Sequence, residues 1–352
     1  MNVKITGSGS YIPNKIVTNL DFANHHFMNE DGSNFNASND VIAQKFKQIT
    51  GIEERRYVDK DLQTSDIAYF ASVKAIENAN IDPETLDYII LAHNFGNVKY
   101  GAIQGDAIPS LAARVKQKLK IKNPKCVAYD ILFGCPGWIE GVIQAQAFIK
   151  AGMAKKCLVI GAETLSRVID IHDRDGMIYS DGAGATIVEG TNEANGILGH
   201  NSATFAADEA DYLFFGNSYN KALDPDVRYI KMFGRKIYEF AITEVPQAMK
   251  DCLDNTGISI NDVKKILIHQ ANEKMDEAII NRFFKLYDME TPKGIMPMSI
   301  HKLGNSSVAT VPTLYDLLVN NQLENHEITK DDVIIFASVG AGMNVNAIVY
   351  RY

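Results

Sequence analysis

The chain has 352 residues, 46% of them hydrophobic and 22% charged, with a formal net charge of −8. That length holds two domains of ordinary size or one large duplicated domain, and the composition is that of a globular protein without long disordered stretches. The acidic balance speaks against a general nucleic-acid binder, which carries a basic surplus to neutralise phosphates.

Residues Met1 to Thr18 lack the apolar run and cleavage site of a signal peptide, and no apolar stretch reaches the ~18 residues needed to span a bilayer. A cytosolic protein with no membrane attachment is expected. Further along, the spacing predicts a helix over Thr64 to Asn80, a break at Ile81-Asp82-Pro83 and a strand over Tyr88 to Ala92. A second apolar stretch, Cys126 to Phe133, reads as a strand running into Gly134 and Cys135, and Pro136 to about Ala151 reads as a helix. Apolar residues occupy most of that helix's circumference, so it is expected to be central and buried.

Cys135 then falls at the helix N-cap, with proline at the favoured first helical position. Unpaired amides and the positive dipole end at such a place favour a thiolate. The alternative use of Cys135 is as a small buried hydrophobe. A thiolate in apolar surroundings requires a dipole or a nearby imidazolium to offset desolvation, so the site needs a histidine. The other cysteines, Cys126, Cys157 and Cys252, form no CxxC pair and have no histidine at zinc-finger spacing. Neither a structural metal nor a disulfide framework is expected.

The second half of the chain repeats the first. Ile237 to Asn255 reads as a helix and Lys265 to His269 as a strand, which places Ala92 against His269 at a separation of 177. The stretch Ile295 to Ile300 leads through Gly304-Asn305 to a helix over about Ser307 to Asn320, matching Asn305 to Cys135 at a separation of 170. Lys156 to Gly161 and Asp332 to Ala337 are 176 apart. Three pairs in register imply duplication into two α/β halves, about 1–190 and 191–352, each a mixed sheet covered by helices. Unbroken apolar runs in the strands agree with burial on both faces.

His269 and Asn305 both fall at strand exits, as Cys135 does, and ligands of α/β sheets bind beyond the carboxyl ends of strands. Taken singly, His269 is equally a hydrogen-bonded core residue and Asn305 a helix cap. Two glycine-rich turns are expected, Asp181 to Ala185 and Ser338 to Met343. The second, through Gly340, Ala341 and Gly342, is placed to offer an amide to a developing oxyanion beside the amide of Cys135. Neither turn fits a dinucleotide or Walker A loop, so no nucleotide cofactor is indicated.

With these residues in hand, the chain resembles the β-ketoacyl-acyl carrier protein synthase III group of thiolase-fold condensing enzymes. The likeness lies in Gly7 to Pro13, Thr50 to Arg55, Cys135 with its helix, Asp181 to Gly184, His269 to Asn272, Gly304 to Ser307 and Gly340 to Gly342. It implies a layered α/β/α/β/α fold, a homodimer and a Cys135-His269-Asn305 triad. In such a triad Cys135 takes an acyl group as a thioester, and His269 and Asn305 donate hydrogen bonds to the malonyl thioester carbonyl as carbon dioxide leaves. Cofactors are not implied; coenzyme A or phosphopantetheine thioesters and acyl carrier protein are the substrates and partner.

Departures from that group concern the primer. Lys45 stands where a tryptophan stacking on the coenzyme A adenine is usual, the stretch Asn29 to Asn39 is extra, and Arg174 persists as an adenine contact. Val339 and Met343 replace phenylalanines near the Gly340 turn, and Asn94 to Pro109 is long. A wider acyl pocket is expected, with a primer carried on carrier protein or as a longer acyl-coenzyme A, in fatty acid initiation or a specialised pathway such as dialkylresorcinol or polyene formation. Gly234 is expected beside the substrate. Arg235, Lys236 and Lys274, in a basic run with Lys231, Arg282 and Lys285, are either a carrier-docking patch or simply a solvated face.

Three other readings stay open: a papain-like protease, which shares the Cys, His, Asn order; a catalytically silent relative; and an acyltransferase on the same fold without decarboxylation. The depth of Cys135 in the chain and the duplication argue against the first, and retention of all three polar residues against the second.

Overall fold

A computed structural model describes residues 1–352. The first half runs β1 (Asn2–Tyr11), β2 (Lys15–Thr18), α1 (Asn39–Thr50), β3 (Glu54–Tyr57), α2 (Thr64–Ala79) and β4 (Tyr88–His93). The two-residue strands β5 (Asn97–Val98) and β6 (Gly105–Asp106) follow, then α3 (Leu111–Lys118), β7 (Val127–Leu132), α4 (Gly137–Lys150), β8 (Lys156–Thr164) and β9 (Asp181–Thr191). The second half begins with β10 (Gly196–Thr204), the hairpin of β11 (Leu213–Asn217) and β12 (Arg228–Met232), α5 (Gly234–Thr256), β13 (Val263–Ile268) and α6 (Glu273–Lys285). It ends with the single turn α7 (Ile300–Leu303), α8 (Thr310–Val319), β14 (Val333–Gly340) and β15 (Asn344–Arg351).

Sheet order carries the duplication. One sheet is β1-β9-β8-β4-β7 and the other β10-β15-β14-β13. In each, the first two neighbours pair antiparallel, the next two antiparallel, and the next two parallel. The second sheet has no partner for β7, because Ile295 to Ile300 is not a strand. Pro297 lacks an amide to donate, and the backbone there bonds to a side chain instead: Gln270 Nε2 donates to Pro297 O at 2.7 Å and Ser299 N donates to Gln270 Oε1 at 2.9 Å. A single ladder-like bond remains, from Ile266 N to Ile295 O at 2.9 Å.

Helices α4 and α8 lie between the sheets, packed by Trp138, Val142, Leu314, Tyr315, Phe336 and Ile348 into one core. The rings of Trp138 and Tyr315 each meet Phe336 edge-on, centroids 5.4 Å apart, and the buried indole N–H donates to Thr186 Oγ1 at 3.1 Å. Outside, α2 covers the first sheet and α5 the second, each over its own apolar cluster. The result is five layers, α/β/α/β/α. Gly161 on β8 permits the closest crossing: a Cβ there would land on the carbonyl of Val308, in the 3₁₀ turn ahead of α8.

Several of the sequence motifs prove to be joints of this frame. Ser8 and Ser10 on β1 donate to the two carboxylate oxygens of Asp316 on α8, at 2.8 and 2.6 Å. Arg55 is fully buried, donating to Met177 O, Val17 O and Asn19 Oδ1. Asp181 to Ala185, expected as a turn, lies within β9. Its small residues suit a strand crowded on both faces, and the Asp181 carboxylate accepts from Val58 N, Ser166 N and Ser166 Oγ.

Candidate active site

Cys135 is placed by the turn between β7 and α4. Gly134 takes φ +68°, and Glu140 N donates to Pro136 O at 3.0 Å as the first helical bond, which makes Pro136 the N-cap. Cys135 therefore lies one residue outside the cap rather than on it. The end of β14 presses on it from behind: a Cβ at Gly340 would sit 2.6 Å from the Cys135 amide nitrogen.

Beyond the thiol opens a cavity of about 400 Å³, mostly apolar, lined by Cys135, His269, Asn305 and Ser307 together with Ala341 and Gly342. The three residues singled out from the sequence thus share one chamber. His269 extends β13, its amide donating to Ala337 O at 2.9 Å, and its Nδ1 is enclosed without a partner. Asn305 is fixed by backbone bonds, its N to Ile178 O at 2.9 Å and its O from Ser180 N at 2.8 Å. Its Oδ1 accepts from Ser307 N at 2.8 Å, which leaves the Nδ2 protons for the chamber.

Electrostatics correct one expectation. Burial pushes the Cys135 thiol up to about 11 and the His269 imidazole down to about 4. Both groups are neutral near pH 7, so the ionised sulfur anticipated from the sequence, held by a helix dipole or a nearby imidazolium, is absent in the free protein. The desolvation of each charge outweighs the help of a helix end one residue removed. For the thiol, the Ser307 hydroxyl, with Oγ 3.5 Å from Sγ, works in the opposite direction.

The remaining predicted residues separate. Val339 lines the chamber; Met343 does not, being fully buried in the core of the second half. Ala341 to Met343 form a single 3₁₀ turn with Gly342 at φ +76°, held by Asn344 Nδ2 donating to Ala341 O at 2.8 Å. Arg174, Gly234 and Lys45 line a second cavity of about 430 Å³, which shares Ile178, Met232, Ile237, Ala271 and Met275 with the first. The Arg174 guanidinium stacks 4.5 Å from the ring centroid of Phe35, a residue of the extra stretch.

The basic run divides as well. The Arg235 side chain is 91% exposed and pairs with Glu239 at 2.8 Å, Lys236 Nζ lies 5.1 Å from the rings of Tyr212 and Phe233, and Lys274 is exposed on α6. Lys231 is no part of any surface. Its side chain is 2% exposed, clamped by Asp170 at 2.7 Å and Asp173 at 3.0 Å.

Sequence reasoning missed the β11–β12 hairpin, whose Leu213, Phe214, Phe215, Ile230 and Met232 line the chamber. The alternation of Tyr229 and Lys231 with Ile230 and Met232 was the available signal. Asn94 and Phe95 after β4 also line the chamber; the sequence marked them only as the start of the long stretch Asn94 to Pro109, without a role for either residue.

The duplicated five-layer fold, with a cysteine ahead of the central helix and a histidine and an asparagine lining the same chamber, defines a thiolase-like condensing enzyme. A family model for 3-oxoacyl-[acyl-carrier-protein (ACP)] synthase III matches residues 129–205, and the model of its C-terminal part matches residues 253–352. A relative from Staphylococcus epidermidis named β-ketoacyl-[acyl-carrier-protein] synthase III is 32% identical, covering 100% of this chain and 99% of its own; one from Staphylococcus aureus is 30% identical over the same shares. Among solved structures, the 3-oxoacyl-[acyl-carrier-protein] synthase III of Aquifex aeolicus is 29% identical with a TM-score of 0.81, covering 99% of this chain and 100% of that one. That of Thermus thermophilus is 28% identical with a TM-score of 0.80, covering 99% of each. The chain belongs to the β-ketoacyl-[acyl-carrier-protein] synthase III family.

Proposed function

We propose that Cys135 accepts an acyl primer as a thioester and that the primer is then condensed, with loss of carbon dioxide, onto a malonyl unit carried by acyl carrier protein. The observation carrying this reading is the single chamber lined by the thiol, a neutral imidazole and a carboxamide with its Nδ2 free. Decarboxylation places negative charge on the malonyl thioester oxygen, where His269 Nε2–H and Asn305 Nδ2 serve as fixed neutral donors. The enolate carbon attacks the acyl-cysteine carbonyl, the new C–C bond forms, the C–S bond breaks, and the sulfur leaves as thiolate. The amides of Cys135 and of the Gly340 to Gly342 turn support the oxyanion of that tetrahedral stage. During priming the Cys135 sulfur bonds to the acyl carbon as the donor's C–S bond breaks, and the thiol proton ends on the departing sulfur, which leaves as a free thiol with His269 neutral.

The second cavity is the approach path in this reading, with Arg174 and Lys45 beside the carrier's or coenzyme A's phosphates and Arg235, Lys236 and Lys274 docking the acidic carrier. The apolar lining supports a primer longer than acetyl. The exposed edge of β7, with Leu132 75% and Ile108 89% exposed nearby, supports pairing with a second copy, for which sedimentation at the mass of one chain would be the contrary result. No helix is long and apolar enough to cross a membrane, and a cytosolic setting completes the proposal.

The test is carbon dioxide release from malonyl-carrier protein in the presence of competing acyl donors. Wild type is expected to release it, and His269→Ala or Asn305→Ala to lose about 10²–10³ in rate, as for removal of one oxyanion donor. Transfer of the acyl group to an oxygen or nitrogen acceptor without carbon dioxide would favour the acyltransferase reading. Preference for acetyl-coenzyme A over every longer donor would refute the wider pocket.

A further inference from the structure

A hydroxyl, a carboxamide and a carboxylate from three segments form a chain beside the thiol that the condensation scheme does not use. Cys135 Sγ lies 3.5 Å from Ser307 Oγ, and Ser307 Oγ accepts from Asn94 Nδ2 at 3.2 Å. Asn94 is gripped in turn by Glu163 Oε2, which accepts from its backbone N at 2.8 Å and its Nδ2 at 2.7 Å. Glu163 is fully buried on β8, and its Oε1 has no partner. Ser307 is held at φ +53°, an uncommon conformation for a residue with a side chain, and its N–H is committed to Asn305 Oδ1.

Proton directions follow from these partners. The carboxylate fixes Asn94 with Nδ2 as donor, sending one proton to Glu163 and the other to the Ser307 oxygen. With a lone pair of that oxygen engaged by Asn94, the Ser307 hydroxyl proton is left free to be donated to the sulfur once it ionises. A hydrogen bond donated to sulfur stabilises thiolate over thiol.

Resting on the assignment of Cys135 as nucleophile, we infer that Ser307, Asn94 and Glu163 form a relay that makes the Cys135 thiolate easier to reach. Ser307 touches the reacting atom; Asn94 and Glu163 are positioning residues acting through it. The other titratable groups around the thiol are His269 after β13, Tyr179 ahead of β9 and Glu163 itself, whose negative charge pushes the thiol up, so that Glu163 helps only by holding Asn94 and Ser307 in place. Next to Glu163, His93 on β4 is bonded to Asp130 on β7 at 3.0 Å, and the Asp130 carboxylate accepts from the Leu111 and Ala112 amides of α3.

Alkylation of Cys135 by iodoacetamide in the full-length protein, followed against pH and mapped by mass spectrometry, tests the relay without using the condensation reaction. Ser307→Ala is expected to slow alkylation about tenfold at pH 8 and to move the profile to higher pH. Ser307→Gly, which tolerates the positive φ, is expected to do the same should the alanine variant fold poorly. Asn94→Ala should slow the reaction in the same direction, and the Asn94→Ala/Ser307→Ala double variant should be no slower than Ser307→Ala alone. Glu163→Gln, which keeps the acceptor for Asn94 and removes a charge that raises the thiol, should alkylate at least as fast as wild type, and Glu163→Ala, which loses the charge and the acceptor together, should be slower than Glu163→Gln. An unchanged profile for both Ser307 variants, or losses that add in the double variant, would overturn the relay. If the relay variants behave as expected but Cys135 never takes an acyl group, the functional reading fails and the relay stands.

Discussion

At Cys135 and His269 a single cause, burial away from water, favours the uncharged form of two groups with opposite titration senses. A thiol raised to about 11 is protonated throughout the neutral range, so its thiolate fraction grows about tenfold with each pH unit below that value. Alkylation of the free protein is therefore expected to keep rising past pH 9, the ordinary thiol value, and a plateau near pH 7 would contradict it. An imidazole lowered to about 4 gains its proton only below that pH, so carbon dioxide release is expected to show no histidine inflection near 6.5. An inflection there would mean that substrate binding restores the cation. The three polar residues were legible in the sequence because each stands at the end of a segment with an apolar pattern. Their protonation was not, since desolvation depends on the hairpin and loop that close the chamber, and Lys231 looked like a surface charge because Asp170 and Asp173 lie some 60 residues earlier.

Elements were legible where length and composition spoke together. The strands at Tyr88, Lys156 and Asp332 are apolar runs of strand length, and the helix after Pro136 is too long and too apolar to be anything but a central one. Two readings failed for identifiable reasons. The stretch Ile295 to Ile300 is apolar but carries Pro297 and satisfies its backbone through Gln270, while Asp181 to Ala185 is glycine-rich because neighbouring layers approach it and not because it turns. Close approach predicts cost. Gly161→Ala places a methyl on the Val308 carbonyl, beside the 3₁₀ turn that carries Ser307, and is expected to destabilise the fold by about 1–3 kcal/mol. Urea unfolding should show a lower midpoint at unchanged slope, and an unchanged midpoint would mean that the two layers separate without strain.

On the scale of the whole molecule, the duplication explains why residues 170 positions apart share one chamber: one repeat supplies Cys135 after β7, and the other supplies His269 after β13 and Asn305 after the single turn α7. Two of the three matched pairs, the strands at Tyr88 and Lys265 and those at Lys156 and Asp332, are strands in both repeats and made this legible in the sequence. Chamber size and lining were not visible, because the β11–β12 hairpin stands where the first repeat has the β2–β3 pair but lines the site, a difference that the repeat pattern does not contain. The central claim is that the sulfur of Cys135 carries the acyl group. Intact-mass spectrometry after incubation with acyl-coenzyme A donors of increasing length tests it most directly. One acyl unit per chain, mapped to Cys135, missing from Cys135→Ala and discharged by malonyl-carrier protein, is the predicted result; an adduct that persists in Cys135→Ala, or none with any donor, would contradict it.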